Sequence, residues 1–126
     1  MKKTKFKLEK FKKALLSLEN IAFKKPDEGR ANIDATIQRF EFTFELAWNF
    51  LKSYFADRDV ILDYPRDILK KAYSVNIIHD EEKWIQMLVD RNMSSHTYNE
   101  KLADEIYTRI QDYIPLLKNL VSNIKL

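Results

Sequence analysis

The stretch from Ile33 to Phe55 decides what this chain folds into. Ile33, Ile37, Phe40, Phe44, Ala47, Leu51 and Phe55 recur at steps of three and four, the repeat of one helix face. The spacing predicts a helix of about 25 residues, about 38 Å long at 1.5 Å per residue. A shorter window reads differently. Phe40-Glu41-Phe42-Thr43-Phe44-Glu45-Leu46 alternates with period two, as a half-buried strand would. The helical period extends well beyond that window and no turn residue interrupts it, so helix is the reading. Phe42, Leu46 and Phe50 then form a second apolar stripe. A helix apolar on two faces lies at the centre of a bundle or in an oligomer interface.

The rest of the chain supplies helices to surround it. Leu8, Phe11, Leu15, Leu18 and Ala22 mark one face of a helix of about 20 residues, and Lys25-Pro26-Asp27-Glu28-Gly29 ends it with turn chemistry. Asp63-Tyr64-Pro65 reads as a helix start, followed by Ile68, Ala72 and Val75 in a short helix. Asp80 is placed to cap a helix carrying Trp84, Ile85, Leu88 and Val89. A last helix begins near Tyr98 and shows Leu102, Ile106, Ile110, Tyr113, Leu117, Leu120 and Ile124, with Pro115 expected to interrupt and kink it. The fold class is all-α: an up-and-down bundle of four main helices plus one short helix, dimerising through the second stripe. At 126 residues, one domain over 1–126 is the expectation.

Composition narrows the chemistry. There is one glycine, Gly29. A phosphate-cradling loop needs several glycines so that backbone N–H groups approach the phosphates. The Gly-Ser loop with paired aspartates by which a nucleotidyltransferase holds its metals is also missing, so any nucleotide transfer falls to a partner. There is no cysteine, which excludes disulfides and thiolate metal sites. No apolar run approaches the roughly 20 residues that span a bilayer. Met1-Lys2-Lys3-Thr4-Lys5 is basic with no apolar segment behind it, unlike a signal peptide, so a cytoplasmic location is expected. The formal charge is only +3, but residues 1 to 30 hold ten Lys or Arg against four acids. Such an arm attracts RNA phosphates or an acidic protein face; its plainer reading is a solvated helix face.

Chemistry concentrates in Arg91-Asn92-Met93-Ser94-Ser95-His96-Thr97-Tyr98. Arg91 follows Trp84 by seven positions and so continues an apolar stripe with a fixed cation. That is either a functional break in the pattern or an arginine snorkelling at a helix end beside Asp90. His96, one of two histidines, is a proton carrier near neutrality. On one straight helix Arg91 and His96 would stand about 140° apart, so they converge only if the helix ends between them. Ser94, Ser95 and Thr97 favour caps over interiors, and Thr97-Tyr98-Asn99-Glu100 has the capping-box pattern. The octapeptide then forms an elbow, with Tyr98 in the first turn of the final helix and a helix N-terminus that favours an anion. His79-Asp80 reads as a helix start rather than a metal site, because no further His or Cys supports it.

Asp90-Arg91-Asn92-Met93-Ser94-Ser95-His96-Thr97-Tyr98-Asn99-Glu100 resembles the signature of HEPN domains, in the subgroup first named nucleotidyltransferase substrate-binding proteins. Phe44-Glu45-Leu46-Ala47-Trp48, Pro65-Arg66-Asp67 and Trp84-Ile85-Gln86-Met87-Leu88 are similar to the same subgroup, so the resemblance covers most of the chain. It implies a dimerising helical bundle with two Arg–His elbows meeting across the interface. It implies a metal-independent ribonuclease acting as a toxin, without a cofactor. It also implies a partner, a minimal nucleotidyltransferase antitoxin that transfers AMP to the motif tyrosine, here Tyr98, and silences the nuclease.

The residues suit that chemistry. RNA cleavage without metal needs a base for the 2′-hydroxyl, an acid for the leaving 5′-oxygen and a cation for the charge on phosphorus. One chain offers one histidine at the elbow, and a two-fold dimer offers two. Arg91 would hold the phosphorane bidentately, and Asn92 would orient the phosphate or His96. Two other readings stand beside this one: a non-catalytic subunit that presents substrate to a nucleotidyltransferase, and a dimerisation module with a decayed site.

Overall fold

The computed structural model describes residues 1–26 and 30–126. The part of the expected turn at Asp27-Glu28-Gly29 lies outside the described residues. The described residues form five α-helices: α1 (Lys2–Ala22), α2 (Ala31–Ala56), α3 (Pro65–Ser74), α4 (Glu81–Asn92) and α5 (Glu100–Asn123), with a 3-10 turn at Ser94–His96 between the last two. Among the described residues there is no strand, so the helical period of α2 prevails over the local alternation at Phe40–Leu46. No helix among them is long and apolar enough to cross a membrane.

Cross-helix bonds fix the directions. Thr4 near the start of α1 donates to Asp57 just past the end of α2 at 2.6 Å, and Arg39 reaches the Ser17 carbonyl at 2.9 Å, so α1 and α2 are antiparallel. On α5, Tyr107 donates to the Lys24 carbonyl, Gln111 to the Ala22 carbonyl and Lys118 to Glu19. That falling register makes α5 antiparallel to α1 and parallel to α2. Asp90 of α4 joins Arg109 and Tyr113 of α5, and Asn123 reaches the Ile77 carbonyl, so α4 runs against α5. The bundle is up-and-down, with α3 as its short member.

The core follows the stripe. Ile33, Ile37, Phe40, Phe44, Ala47, Leu51 and Phe55 are all buried. Phe40 stacks on Tyr113 at 5.6 Å, and Phe44 tilts against Trp84 at 6.4 Å. The second stripe divides: Phe50 is fully buried and belongs to the core, Leu46 is half-buried, and Phe42 is 42% exposed. At 100° per residue Phe50 lies nearer Thr43 and Ala47 than Phe42, so it turns inward.

Helix starts are mixed. Pro65 opens α3 as expected, with Tyr64 at the cap position. Asp80 caps α4, its Oδ1 accepting from the Lys83 N–H at 3.2 Å while its own backbone is left-handed at φ 60°. His79 lies against Asn123, Nε2 to Nδ2 at 3.3 Å. Two expectations for α5 are corrected. Its cap is Asn99, whose Oδ1 accepts from the Leu102 N–H at 3.2 Å, and Thr97 instead donates to the Ser94 carbonyl. The helix also continues through Pro115 to Asn123 without interruption.

Candidate functional site

The elbow begins where α4 ends. The Met93 N–H closes the last turn on the Val89 carbonyl, and the His96 N–H bonds the Met93 carbonyl at 2.9 Å. The Asn99 N–H bonds the His96 carbonyl at 3.2 Å, and α5 follows. Serine side chains compete well for backbone groups, and here Ser94 Oγ lies 2.7 Å from the Arg91 carbonyl and 2.9 Å from Glu41 on α2. The chain therefore turns through a 3-10 segment pinned to α2.

Arg91 points toward α2. Its Nη2 donates to Glu45 Oε2, and its Nη1 donates to Asn92 Oδ1 at 3.1 Å. Trp48 Nε1 donates to the same Glu45 oxygen at 3.2 Å. Glu45 is thus held from two sides and holds Arg91 in turn. The Arg91 side chain is 33% exposed, and its buried Nε has no hydrogen-bond partner among the described residues. Beside it lies an open cavity of about 280 Å³, lined by Gln38, Glu41, Phe42, Glu45 and Arg91.

His96 and Tyr98 point outward. The imidazole is exposed and makes no side-chain hydrogen bond among the described residues; it meets the Tyr98 ring edge-on at 6.3 Å. Tyr98 is 85% exposed. It precedes the Asn99 cap instead of lying in the first turn of α5. The four residues fall into two pairs, Arg91 with Asn92 and His96 with Tyr98. No hydrogen bond or ring contact among the described residues joins one pair to the other.

Behind the elbow is a latch that sequence reasoning missed. Asp90 is 2% exposed. Arg109 grips its carboxylate in a fork, Nε to Oδ2 at 2.8 Å and Nη2 to Oδ1 at 2.7 Å, and the Tyr113 hydroxyl donates to Oδ2 at 2.5 Å. Such bidentate charge-assisted bonds are strong and directional. Burial, then the bond to Asp90, pushes the Tyr113 phenol well above its ordinary range, and the Asp90 bond raises the Arg109 guanidinium. Asp90 adjoins Arg91, so the latch fixes the end of α4 against α5. Its trace in the sequence is an acid one turn after the buried Met87, with Arg109 and Tyr113 one turn apart. Glu45 left a similar trace, a charge within the apolar run Phe44–Trp48. Among the described residues no three His, Asp or Glu side chains gather as a metal site.

The fold and this elbow define a class: an up-and-down helical bundle that displays an Arg–His–Tyr turn between its last two helices. The family model described as nucleotidyltransferase substrate binding protein like matches residues 6–125, and the chain belongs to that family. A Haemophilus influenzae protein named Probable ribonuclease HepT is 33% identical over 87 residues, covering 65% of this chain and 60% of that one. The chain thus matches about 60% of the length of that relative. A crystal structure from Thermus thermophilus superposes with a TM-score of 0.85 at 32% identity, over 92% of this chain and 99% of that chain. A Haemophilus influenzae structure, described as the fold of a substrate binding domain of a nucleotidyltransferase, gives a TM-score of 0.81 at 26% identity, over 92% and 97%.

Proposed function

We propose that this protein is a HEPN-type, metal-independent endoribonuclease, a toxin that a partner nucleotidyltransferase silences by transferring AMP to Tyr98. The observation that carries the reading is the elbow itself. A guanidinium held in place by Glu45 and Asn92 stands five residues before an exposed imidazole that makes no side-chain hydrogen bond among the described residues, and an exposed phenol follows. The name of the Haemophilus influenzae relative supports the ribonuclease, and the family's description supports a nucleotidyltransferase partner.

The site is composite across a two-fold dimer. A neutral His96 takes the proton of the 2′-hydroxyl, whose oxygen attacks phosphorus. The bond from phosphorus to the 5′-oxygen breaks, and the protonated His96 of the second copy supplies the proton to that oxygen. The products are a 2′,3′-cyclic phosphate and a 5′-hydroxyl. Arg91 faces the charge gathering on the equatorial oxygens, and Asn92 orients the group. For silencing, the Tyr98 oxygen attacks the α-phosphorus of ATP, pyrophosphate leaves, and the partner accepts the phenolic proton. The added anion lies beside His96 and repels RNA.

Purified protein is expected to cleave RNA in EDTA, and His96→Ala and Arg91→Ala each to abolish cleavage with helical circular dichroism intact. Tyr98→Phe stays active and escapes silencing by the nucleotidyltransferase with ATP and Mg²⁺. Cleavage retained in His96→Ala removes the acid–base role. A second reading, a non-catalytic subunit presenting substrate to a nucleotidyltransferase, draws on one observation: Glu45 already neutralises Arg91. No cleavage by the parent protein at any metal level favours it.

A further inference from the structure

The pairing of Arg91 with Glu45 leaves little free positive charge at the elbow, so attraction for a polyanion must originate elsewhere. One face of α1 supplies it. Lys3, Phe6, Lys7 and Lys10 follow the i, i+3, i+4, i+7 pattern. With Leu46 and Asn49 of α2 they line an open groove of about 370 Å³. No carboxylate lines it, and none of the three lysines has an ion-pair partner among the described residues. The Phe6 ring is 61% exposed, with the Lys10 ammonium 4.8 Å from its centroid. Lys7 is half-buried, and burial together with Lys3 and Lys52 lowers its pKa, as expected of crowded like charges that an anion would relieve.

The groove continues toward the elbow along α2. Leu46 and Asn49 line it, while Phe42 and Glu45, one turn earlier, line the cavity beside Arg91. We infer that the α1–α2 groove binds single-stranded RNA, with Lys3, Lys7 and Lys10 on backbone phosphates and Phe6 under an unpaired base, and leads the strand to Arg91. This rests on the nuclease reading for the direction of the strand, not for the binding itself. Lysines interleaved with an accessible aromatic ring are the usual means of holding single strands. An acidic protein segment would use the lysines but gain little from an exposed ring beneath them.

The test is fluorescence anisotropy of a labelled single-stranded RNA oligonucleotide with full-length His96→Ala protein in EDTA, across salt concentrations. On that background a Lys3→Ala/Lys10→Ala pair weakens binding about tenfold or more and flattens the salt slope by about 1.4, since each single-strand phosphate contact contributes about 0.7. The charge-matched pair Lys5→Ala/Lys12→Ala, on the opposite face of α1, changes affinity by no more than about twofold. Phe6→Ala weakens binding about tenfold with the slope unchanged, as expected for lost stacking. The inference is overturned if the background protein binds no RNA, if both lysine pairs weaken binding alike, or if Phe6→Ala binds as before. It is also overturned if the groove pair keeps RNA binding and loses binding to polyglutamate, which would make the groove a site for an acidic protein. Binding and cleavage fail separately. Groove variants that bind normally while the parent cleaves RNA sink only this inference. Groove-dependent binding by a parent that never cleaves sinks only the nuclease.

Discussion

At the scale of single residues, the elbow is governed by ion pairs that a sequence does not display. His96 stands out because the chain has only two histidines, and Arg91 because a fixed cation continues the apolar stripe of Trp84. The partners across helices do not: Glu45 lies 46 positions from Arg91, and Arg109 lies 19 from Asp90. Local spacing carries no information about which acid meets which base across helices. The sequence also suggested that Arg91 and His96 would converge within the elbow, whereas the chain turns one inward and the other outward. Asp90 is the buried charge of this region, 2% exposed and paired with Arg109. Asp90→Asn leaves Arg109 facing a neutral amide and is expected to destabilise the protein by roughly 2–4 kcal/mol, below the usual upper range for buried pairs because Arg109 is partly solvated. Tyr113→Phe removes one bond of the same network and costs about 1–2 kcal/mol. Urea unfolding checks both, and the double variant should cost less than the sum because the groups share a network. A loss under about 1 kcal/mol for Asp90→Asn would mean that the latch does not hold α4 to α5.

At the scale of elements, the helices were legible because burial imposes its period on the sequence. The α2 stripe identified a helix from Ile33 to Phe55, and the helix spans Ala31–Ala56. Ends were less legible, since capping depends on one side-chain bond that several neighbouring polar residues could make. Thr97 and Asn99 were both eligible; α5 starts at Glu100, so Asn99 is the residue at the cap, and Thr97, two residues earlier, donates to the Ser94 carbonyl. Asn99→Ala is therefore expected to cost about 1 kcal/mol and to speed amide exchange at Leu102, while Thr97→Ala leaves that amide unchanged. Equal exchange in the two variants would reassign the cap. The other end of the bundle has its own fastening. Thr4 donates to Asp57, and that bond holds the Asp57 carboxyl below its ordinary value of 3.8. A carboxyl whose folded pKa lies below its unfolded value adds stability above the unfolded value and loses it as pH falls through the folded one. The stability gap between the parent and Thr4→Val should thus be wider at about pH 6 than at about pH 3 in urea unfolding. A gap independent of pH would mean that only the uncharged bond to Ser53 contributes.

At the scale of the whole molecule, the bundle presents two kinds of surface one turn apart along α2. One is the cavity beside Arg91, lined by Phe42 and Glu45, and the other is the lysine-lined groove that Leu46 and Asn49 form against α1. The proposed chemistry needs two histidines, one to accept a proton and one to give it, and a single chain brings one to the elbow. A two-fold axis near Phe42 would supply the second from a symmetry-related copy, and a closed isologous pair then has one cleavage centre built from both elbows. This architecture has a consequence that a self-sufficient protomer lacks. When the parent and His96→Ala chains are co-refolded in equal amounts and pair at random, only parent–parent dimers keep both proton-transfer groups, so about a quarter of the activity per total chain should remain. If each protomer worked alone, about half would remain. Cleavage measured across a series of mixing ratios should follow the square of the parent fraction; a straight line would place acid, base and Arg91 within one chain and remove the need for a composite site.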